Sequence, residues 1–345
     1  MTGENSKSGE EGKAARELFP GLPPVLVVAG PTASGKSAMA LAAARAFDGV
    51  VINADAMQVY RELSILTARP GPADVALAPH RLYGVLPGAE ACSAGRWRGL
   101  ALAEIEAARA AGRLPMVVGG TGLYLRALAQ GLAALPEVPA AARAAARARH
   151  RALGGPAFHA ALAARDPDMA ARLRPGDSQR LIRAWEVLEA TGRSLADWQA
   201  ETAPAPPPYR LLCLALVPRS APARAALYAA CDRRLRAMVE AGALNELRAL
   251  VALGLDPGMP VMKALGVPEL AAHLRGEQTL EQAVAAAQQA TRRYAKRQMT
   301  WLRTQLPRDF VSNENALITF DTQYSTSLDN EIFTNIRDFV LTPPG

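Results

Sequence analysis

Gly30-Pro31-Thr32-Ala33-Ser34-Gly35-Lys36-Ser37 fits the spacing G-x-x-x-x-G-K-[ST]. The apolar run Val25-Leu26-Val27-Val28-Ala29 precedes it, and an Ala-rich, helix-prone run from Ala38 to Phe47 follows. Strand, loop and helix are the context in which this spacing cradles phosphate. Gly30 and Gly35 permit backbone angles that side chains forbid, so successive N–H groups can turn inward on an anion. The new helix adds the positive end of its dipole. Lys36 can reach an outer phosphate, and the Ser37 hydroxyl can hold a magnesium ion.

The first 135 residues alternate short apolar strands with helical stretches. The pattern predicts strands at Val25–Ala29, Val50–Ile52, Leu82–Val85 and Met116–Val118, with a helix over Arg96–Ala111. Such alternation implies a parallel sheet covered by helices, with ligands at the carboxyl ends of its strands. From Pro136 to Ala205 strand signals vanish and Ala and Arg dominate. That segment reads as several helices ending in the stiff run Pro204-Ala-Pro-Pro-Pro208. A strand returns at Leu211–Val217, and long helices run to Leu306. The expected organisation is a flexible leader over 1–20, an α/β core over 21–135 and 207–310, and an all-helical insertion over 136–206. Past Phe310 Ala nearly disappears, and 311–345 reads as a divergent tail, peripheral to the chemistry.

Composition narrows the class. At 345 residues and 50% hydrophobic content the chain can bury a large core. A formal net charge of +7 makes a polyanionic partner plausible. No apolar stretch has the length of a membrane span, and the polar N-terminus lacks the apolar centre of a signal peptide. Cys92, Cys213 and Cys231 are too far apart for a zinc spacing and odd in number, so a cytoplasmic setting is expected.

The strand ends carry the remaining chemistry. After Val50-Val51-Ile52 comes Asn53-Ala54-Asp55-Ala56-Met57-Gln58-Val59-Tyr60. Asp55 can serve as a general base, hold magnesium, or simply cap a turn. After Met116-Val117-Val118 comes Gly119-Gly120-Thr121-Gly122-Leu123-Tyr124, where an ATPase usually carries an acid. The missing acid counts against a hydrolytic motor and suits a protein that only cradles a diphosphate. Arg143, Arg147, Arg149 and Arg151 form one basic region, and Arg292, Arg293, Lys296, Arg297, Arg303 and Arg308 a second, with Tyr294 and Trp301 interleaved. Basic helices with aromatics suit a nucleic-acid backbone. Gln179-Arg180-Leu181-Ile182-Arg183 adds polar and cationic groups on one helix face.

These pieces in this order resemble the tRNA dimethylallyltransferase family, from about Pro24 to Leu306. The likeness rests on residues 30–37, 53–60, Thr67-Ala68-Arg69-Pro70, 119–125, Asp-Ser-Gln-Arg-Leu-Ile-Arg at 177–183, Met262-Lys-Ala-Leu-Gly266, and Ala-Lys-Arg-Gln-Met-Thr-Trp-Leu-Arg at 295–303. The resemblance implies a P-loop NTPase-like core with a helical insertion. It implies an enzyme that moves a dimethylallyl group from dimethylallyl diphosphate to N6 of the adenosine next to the tRNA anticodon, with magnesium. Gly30, Pro31, Thr32, Ala33, Ser34, Gly35, Lys36 and Ser37 would hold the donor diphosphate, in a loop of the kind that also marks ATP-binding proteins. Asp55 would take the N6 proton, with Thr121 and Lys36 beside the reacting centre. Asp55, Ala56, Met57, Gln58, Thr121, Arg143, Gln179, Arg180, Leu181, Ile182 and Arg183 would meet the anticodon stem-loop. A monomer is expected. Two departures stand out: Ala56 replaces a usual Ser, and Ser37 stands where Thr is common. The tail after Phe310 matches nothing in the family. The rival readings are a P-loop small-molecule kinase and a nucleic-acid-binding module with a vestigial loop.

Overall fold

The computed structural model describes residues 22–133, 135, 137–201, 208–310 and 315–341. The leader over 1–20 and most of the Pro204–Pro208 run lie outside them. The chain divides into two compact units, one of Met1–Ala129 with Pro207–Gly345 and one of Gln130–Pro206.

The first unit is built on six parallel strands: β1 (Pro24–Ala29), β2 (Gly49–Asn53), β3 (His80–Arg81), β4 (Leu114–Gly119), β5 (Arg210–Leu216) and β6 (Ala316–Phe320). Their order is β3-β2-β4-β1-β5-β6. The central strands are buried along their whole length because helices cover both faces. Val25, Val27 and Ala29 of β1 pack to one side with Trp97, Ile105 and Leu302. Leu26 and Val28 pack to the other with Met39, Ala40 and Ala43 of α1 (Lys36–Ala46). Since β1, β2 and β4 are parallel, the segments after Ala29, Asn53 and Gly119 open at the same sheet edge.

Helices α2 (Pro72–Leu77), α3 (Ala94–Ala110) and α4 (Gly122–Gln130) follow their strands. Four helices of the second unit come next: α5 (Ala140–Ala163), α6 (Pro167–Ala171), α7 (Ser178–Thr191) and α8 (Leu195–Glu201). The first unit resumes with α9 (Ala221–Glu240), α10 (Ala243–Ala252), α11 (Val267–Leu274), α12 (Leu280–Thr304), α13 (Leu306–Phe310) and, after β6, α14 (Asp329–Leu341). Local signals set these starts. Ser220 caps α9 by accepting the Ala223 N–H, and Thr279 and Gln282 form a capping box on α12. Among the described residues no helix is long and apolar enough to cross a membrane.

Two expectations are corrected. Leu82–Val85 is not a strand: β3 stops at Arg81, and Leu82 and Gly84 take φ of 64° and 62°, which turn the chain away. The described part of the 311–345 segment, 315–341, is not an appended tail. Its β6 pairs in parallel with β5 from Leu212↔Ala316 to Leu216↔Phe320, and Ile332 and Ile336 of α14 are fully buried against the sheet. Truncating a buried isoleucine to alanine costs about 2–5 kcal/mol, so this element belongs to the core.

In the second unit Phe158, Leu162, Leu181, Ala184 and Val187 form the centre. Gly154, at φ 74° and ψ 166°, kinks α5 two residues before Pro156.

Candidate active site

Gly35 (φ 87°) and Ala33 (φ 62°) turn the loop after β1 into the first turn of α1. Not every amide of the loop is available to a ligand. The Thr32 N–H donates to Gln298 Oε1 at 2.8 Å and the Ser34 N–H to the Pro31 carbonyl at 3.3 Å. The amides of Gly35, Lys36 and Ser37 remain at the mouth of α1, where a helix leaves its first donors unpaired. The Ser34 hydroxyl is fully buried and has no hydrogen-bond partner.

Lys36 lies half-buried, its Nζ 3.4 Å from the Pro31 carbonyl. Burial depresses its amine to about 8, against the opposing pull of the Asp55 carboxylate and with a smaller push from Arg234. Arg234 of α9 donates to the Thr32 hydroxyl, and burial lowers its guanidinium as well. Two cations thus stand desolvated beside the amides of Gly35, Lys36 and Ser37, which favours a multiply charged anion between them.

A cavity of about 340 Å³ opens beside this loop within the first unit. Thr32, Asp55, Thr121, Arg234, Lys263 and Arg297 supply polar groups to its wall, and Met57, Leu66, Leu235, Met238 and Leu265 supply apolar ones. Asp55 is fixed by its own turn: its N–H donates to Asn53 Oδ1 at 2.8 Å and its Oδ1 accepts the Met57 N–H at 2.9 Å. Asn53 is fully buried and anchored in turn, with Nδ2 on the Leu82 carbonyl and its own carbonyl receiving Trp97 Nε1 at 2.7 Å. Thr121 Oγ1 accepts the Ala56 N–H at 3.0 Å, which joins the β2 and β4 ends. Tyr294 lines the same cavity; burial and the Asp55 charge raise its phenol, and the Thr121 hydroxyl partly offsets this.

The structure brings Lys36, Asp55, Thr121 and the loop together, as their strand-end positions require. Gln58 sits beside them, but its Nε2 is committed to the Thr67 and Ala68 carbonyls, where it closes the loop over 58–68. Arg143, Gln179, Arg180 and Arg183 lie in the second unit. There Arg180 and Arg183 pair with Asp177 and Glu186 at 3.5 Å, and Arg143 donates to the Val138 carbonyl. Leu181 is fully buried in that unit's core and Ile182 packs against it, so both support the helix rather than face outward. Sequence reasoning missed Arg234 and Gln298. Gln298 falls in the quoted 295–303 string, whereas Arg234 had only its place on a helix of alternating cations and leucines as a signal.

The donor set suits magnesium of the kind that arrives with a diphosphate. Ser37 is exposed at the first turn of α1, and Asp55 opens on the cavity beside the loop. Among the described residues no group of three or more His, Cys, Asp or Glu side chains forms a metal cage. Magnesium commonly keeps its waters and takes one or two protein oxygens plus substrate phosphates.

Fold and loop define a P-loop-like α/β protein with no acid at the end of β4. Comparison with known proteins narrows this. The IPP transferase family model matches residues 58–305, and an isopentenyl transferase model matches residues 23–84. A tRNA dimethylallyltransferase of Rhodospirillum centenum is 63% identical over 288 residues, covering 84% of this chain and 91% of the relative. That of Rhodospirillum rubrum is 57% identical and covers 94% and 97%. Among solved structures, a full-length tRNA isopentenylpyrophosphate transferase from Bacillus halodurans superposes with TM-score 0.62 at 30% identity, covering 92% of this chain and 97% of that one. A eukaryotic dimethylallyltransferase acting on tRNA superposes with TM-score 0.76 at 25% identity, covering 93% and 80%. The chain belongs to the IPP transferase family, whose curated relatives are tRNA dimethylallyltransferases.

Proposed function

We propose that this chain transfers a dimethylallyl group from dimethylallyl diphosphate to N6 of an adenosine in tRNA. The observation that carries the reading is one small cavity, partly apolar, that joins Asp55 to the Lys36 loop. Its size lies at the low end for ligand pockets, roughly 300–1,000 Å³, and suits a short prenyl chain and a base edge.

The adenine N6 attacks the allylic carbon of the donor. The carbon–oxygen bond breaks, its electron pair leaves on the diphosphate, and the N6 proton passes to the Asp55 carboxylate. Lys36, Arg234 and the amides of Gly35, Lys36 and Ser37 receive the charge that grows on the leaving group. In a well-studied case, removing one such donor loses about 3–4 kcal/mol of transition-state stabilisation. Ser37 would hold magnesium, which would supply further positive charge to the diphosphate. Thr121, tied to the Ala56 amide, keeps the base-bearing turn against the β4 end. Leu66, Leu235, Met238 and Leu265 cover the prenyl carbons and exclude water that would otherwise hydrolyse the donor.

The target adenine must leave its stack to reach Asp55, which costs least in a loop. We therefore take the anticodon loop as the target. The exposed cations of α12, Arg293, Lys296, Arg297 and Arg303, would contact the RNA backbone, with Arg143, Gln179, Arg180 and Arg183 of the second unit. On this reading the enzyme works as a monomer in the cytoplasm.

The test incubates the protein with unmodified tRNA, magnesium and either dimethylallyl diphosphate or ATP, then weighs the digested nucleosides. Prenylated adenosine supports the reading. A phosphorylated acceptor with ATP consumed replaces it with a kinase, and RNA retained without product replaces it with a binding module.

A further inference from the structure

We propose that Gln323 is a positioning residue for the diphosphate loop, acting with the main chain of Tyr324. The proposal rests on the reading of residues 30–37 as the donor diphosphate site. Gln323 Nε2 donates to the Ala33 carbonyl at 2.7 Å, and the Tyr324 N–H donates to the Ser34 carbonyl at 2.9 Å. The side chain of Tyr324 closes on Gly35, where a Cβ would stand 2.9 Å from Tyr324 Cβ.

Peptide planarity turns these contacts into an orientation. In a trans peptide the C=O of one residue points opposite to the N–H of the next. Holding the Ser34 carbonyl toward Tyr324 therefore turns the Gly35 N–H away from it, to the other side of the loop. Holding the Ala33 carbonyl does the same for the Ser34 N–H, which lands on Pro31. Ala33 needs this support, because φ of 62° disfavours a residue with a Cβ by about 1–2 kcal/mol.

The same segment reaches the other half of the cradle. Asp321 Oδ1 accepts the N–H of Arg219 and, at 3.1 Å, that of Ser220, the cap of α9. Helix α9 carries Arg234 to the Thr32 hydroxyl. Three residues just after β6, Asp321, Gln323 and Tyr324, thus touch the loop and the base of the helix that faces it. They lie beyond residue 305, where the match to the IPP transferase family model ends.

The test measures calorimetric affinity for inorganic pyrophosphate and for dimethylallyl diphosphate, with steady-state constants and thermal midpoints. Gln323→Ala, Gln323→Met and Lys36→Met are compared with the natural chain. Gln323→Met keeps the length of the side chain and removes its hydrogen-bonding amide. Loss of one such bond predicts that both Gln323 variants bind pyrophosphate and donor about 3- to 10-fold more weakly. The donor KM rises in step, while the tRNA KM holds and the thermal midpoint falls by no more than about 2–4 °C. Unchanged affinity in the Gln323 variants, with binding lost in Lys36→Met, overturns the brace and leaves the loop reading intact. A lower midpoint with every constant affected alike overturns it as well, since the role is then structural only. If Lys36→Met binds pyrophosphate as the natural chain does, the loop reading fails and the brace fails with it.

Discussion

Replacing Lys36 with methionine should stabilise the ligand-free protein and abolish donor binding. Burial moves the Lys36 amine from 10.5 to about 8. At about 1.4 kcal/mol per unit, the charged form costs the folded state about 3 kcal/mol at neutral pH. Lys36 is partly open to solvent, and the variant also forfeits one weak hydrogen bond to the Pro31 carbonyl, worth about 0.5–1.5 kcal/mol. A net gain of about 1–2 kcal/mol is left, or a few degrees in thermal midpoint. Between pH 8 and 10.5 the unfolded chain holds this proton and the folded chain has lost it, so stability rises with pH across that window. Lys36→Met should flatten the rise. Pyrophosphate binds the charged amine, so its affinity for the natural chain should fall about tenfold from pH 7 to pH 9 as the site near pH 8 deprotonates. Thermal scans with and without pyrophosphate, over pH 7 to 10, read all three effects. A destabilised variant, or one whose midpoint pyrophosphate still raises, would refute the account of Lys36 as a cation held ready for the diphosphate.

Asp55→Asn keeps an oxygen for the Met57 N–H, so the fold should hold while turnover falls by about 10²–10⁴ in a single-turnover assay and donor affinity stays within about twofold. Glu246 accepts the N–H groups of Ser64, Ile65 and Leu66 at 2.5, 2.8 and 2.9 Å. Its replacement by alanine should cost about 1.5–3 kcal/mol in denaturant titrations and raise the donor KM, because Leu66 and Thr67 line the cavity. Affinity for tRNA should drop by about 10³ or more from 50 to 200 mM salt if six or more phosphates are contacted; a flat response in filter binding would remove the basic helices as the RNA surface.

The sheet was legible because each central strand is an unbroken apolar run: Val25–Ala29, Val50–Ile52, Met116–Val118 and Leu211–Val217 all fall inside or within a residue of observed strands. Leu82-Tyr83-Gly84-Val85 is a run broken by a glycine, and it fails because Leu82 and Gly84 take positive φ. There the Leu82 carbonyl turns to receive Asn53 Nδ2, a partner 29 residues away. The C-terminal segment misled through its contrast with the Ala-rich body. Its own signals were sound: Ala316-Leu-Ile-Thr-Phe320 is strand-like, and Ile332 and Ile336 are spaced for one helix face. Lys36 and Asp55 were legible because a strand end fixes where a side chain can go. Arg234, Gln298 and Gln323 were not, because each reaches the loop from more than 190 residues along the chain.

The missing acid after β4 also has a physical reason that composition alone does not supply. A Cβ at Gly119 would stand 2.2 Å from the Ala54 carbonyl oxygen, one at Gly120 would stand 2.6 Å from the Gly30 carbonyl oxygen, and one at Gly122 would enter the Trp301 ring at 2.4 Å. This segment is the seam where the ends of β1 and β2 meet α12, and any side chain at Gly119 or Gly120 would push the loop and the Asp55 turn apart. Thr121 is the one residue of that seam with room for a side chain, and it spends its oxygen on the Ala56 N–H beside Asp55. In the proposed reaction the base must approach a carbon whose leaving group sits on the loop, so closeness of the β1 and β2 ends matters more than a carboxylate on β4. Glycine there brings the nucleophile's base within reach of the departing diphosphate, and Asp55 on the neighbouring strand supplies the carboxylate that the seam cannot hold.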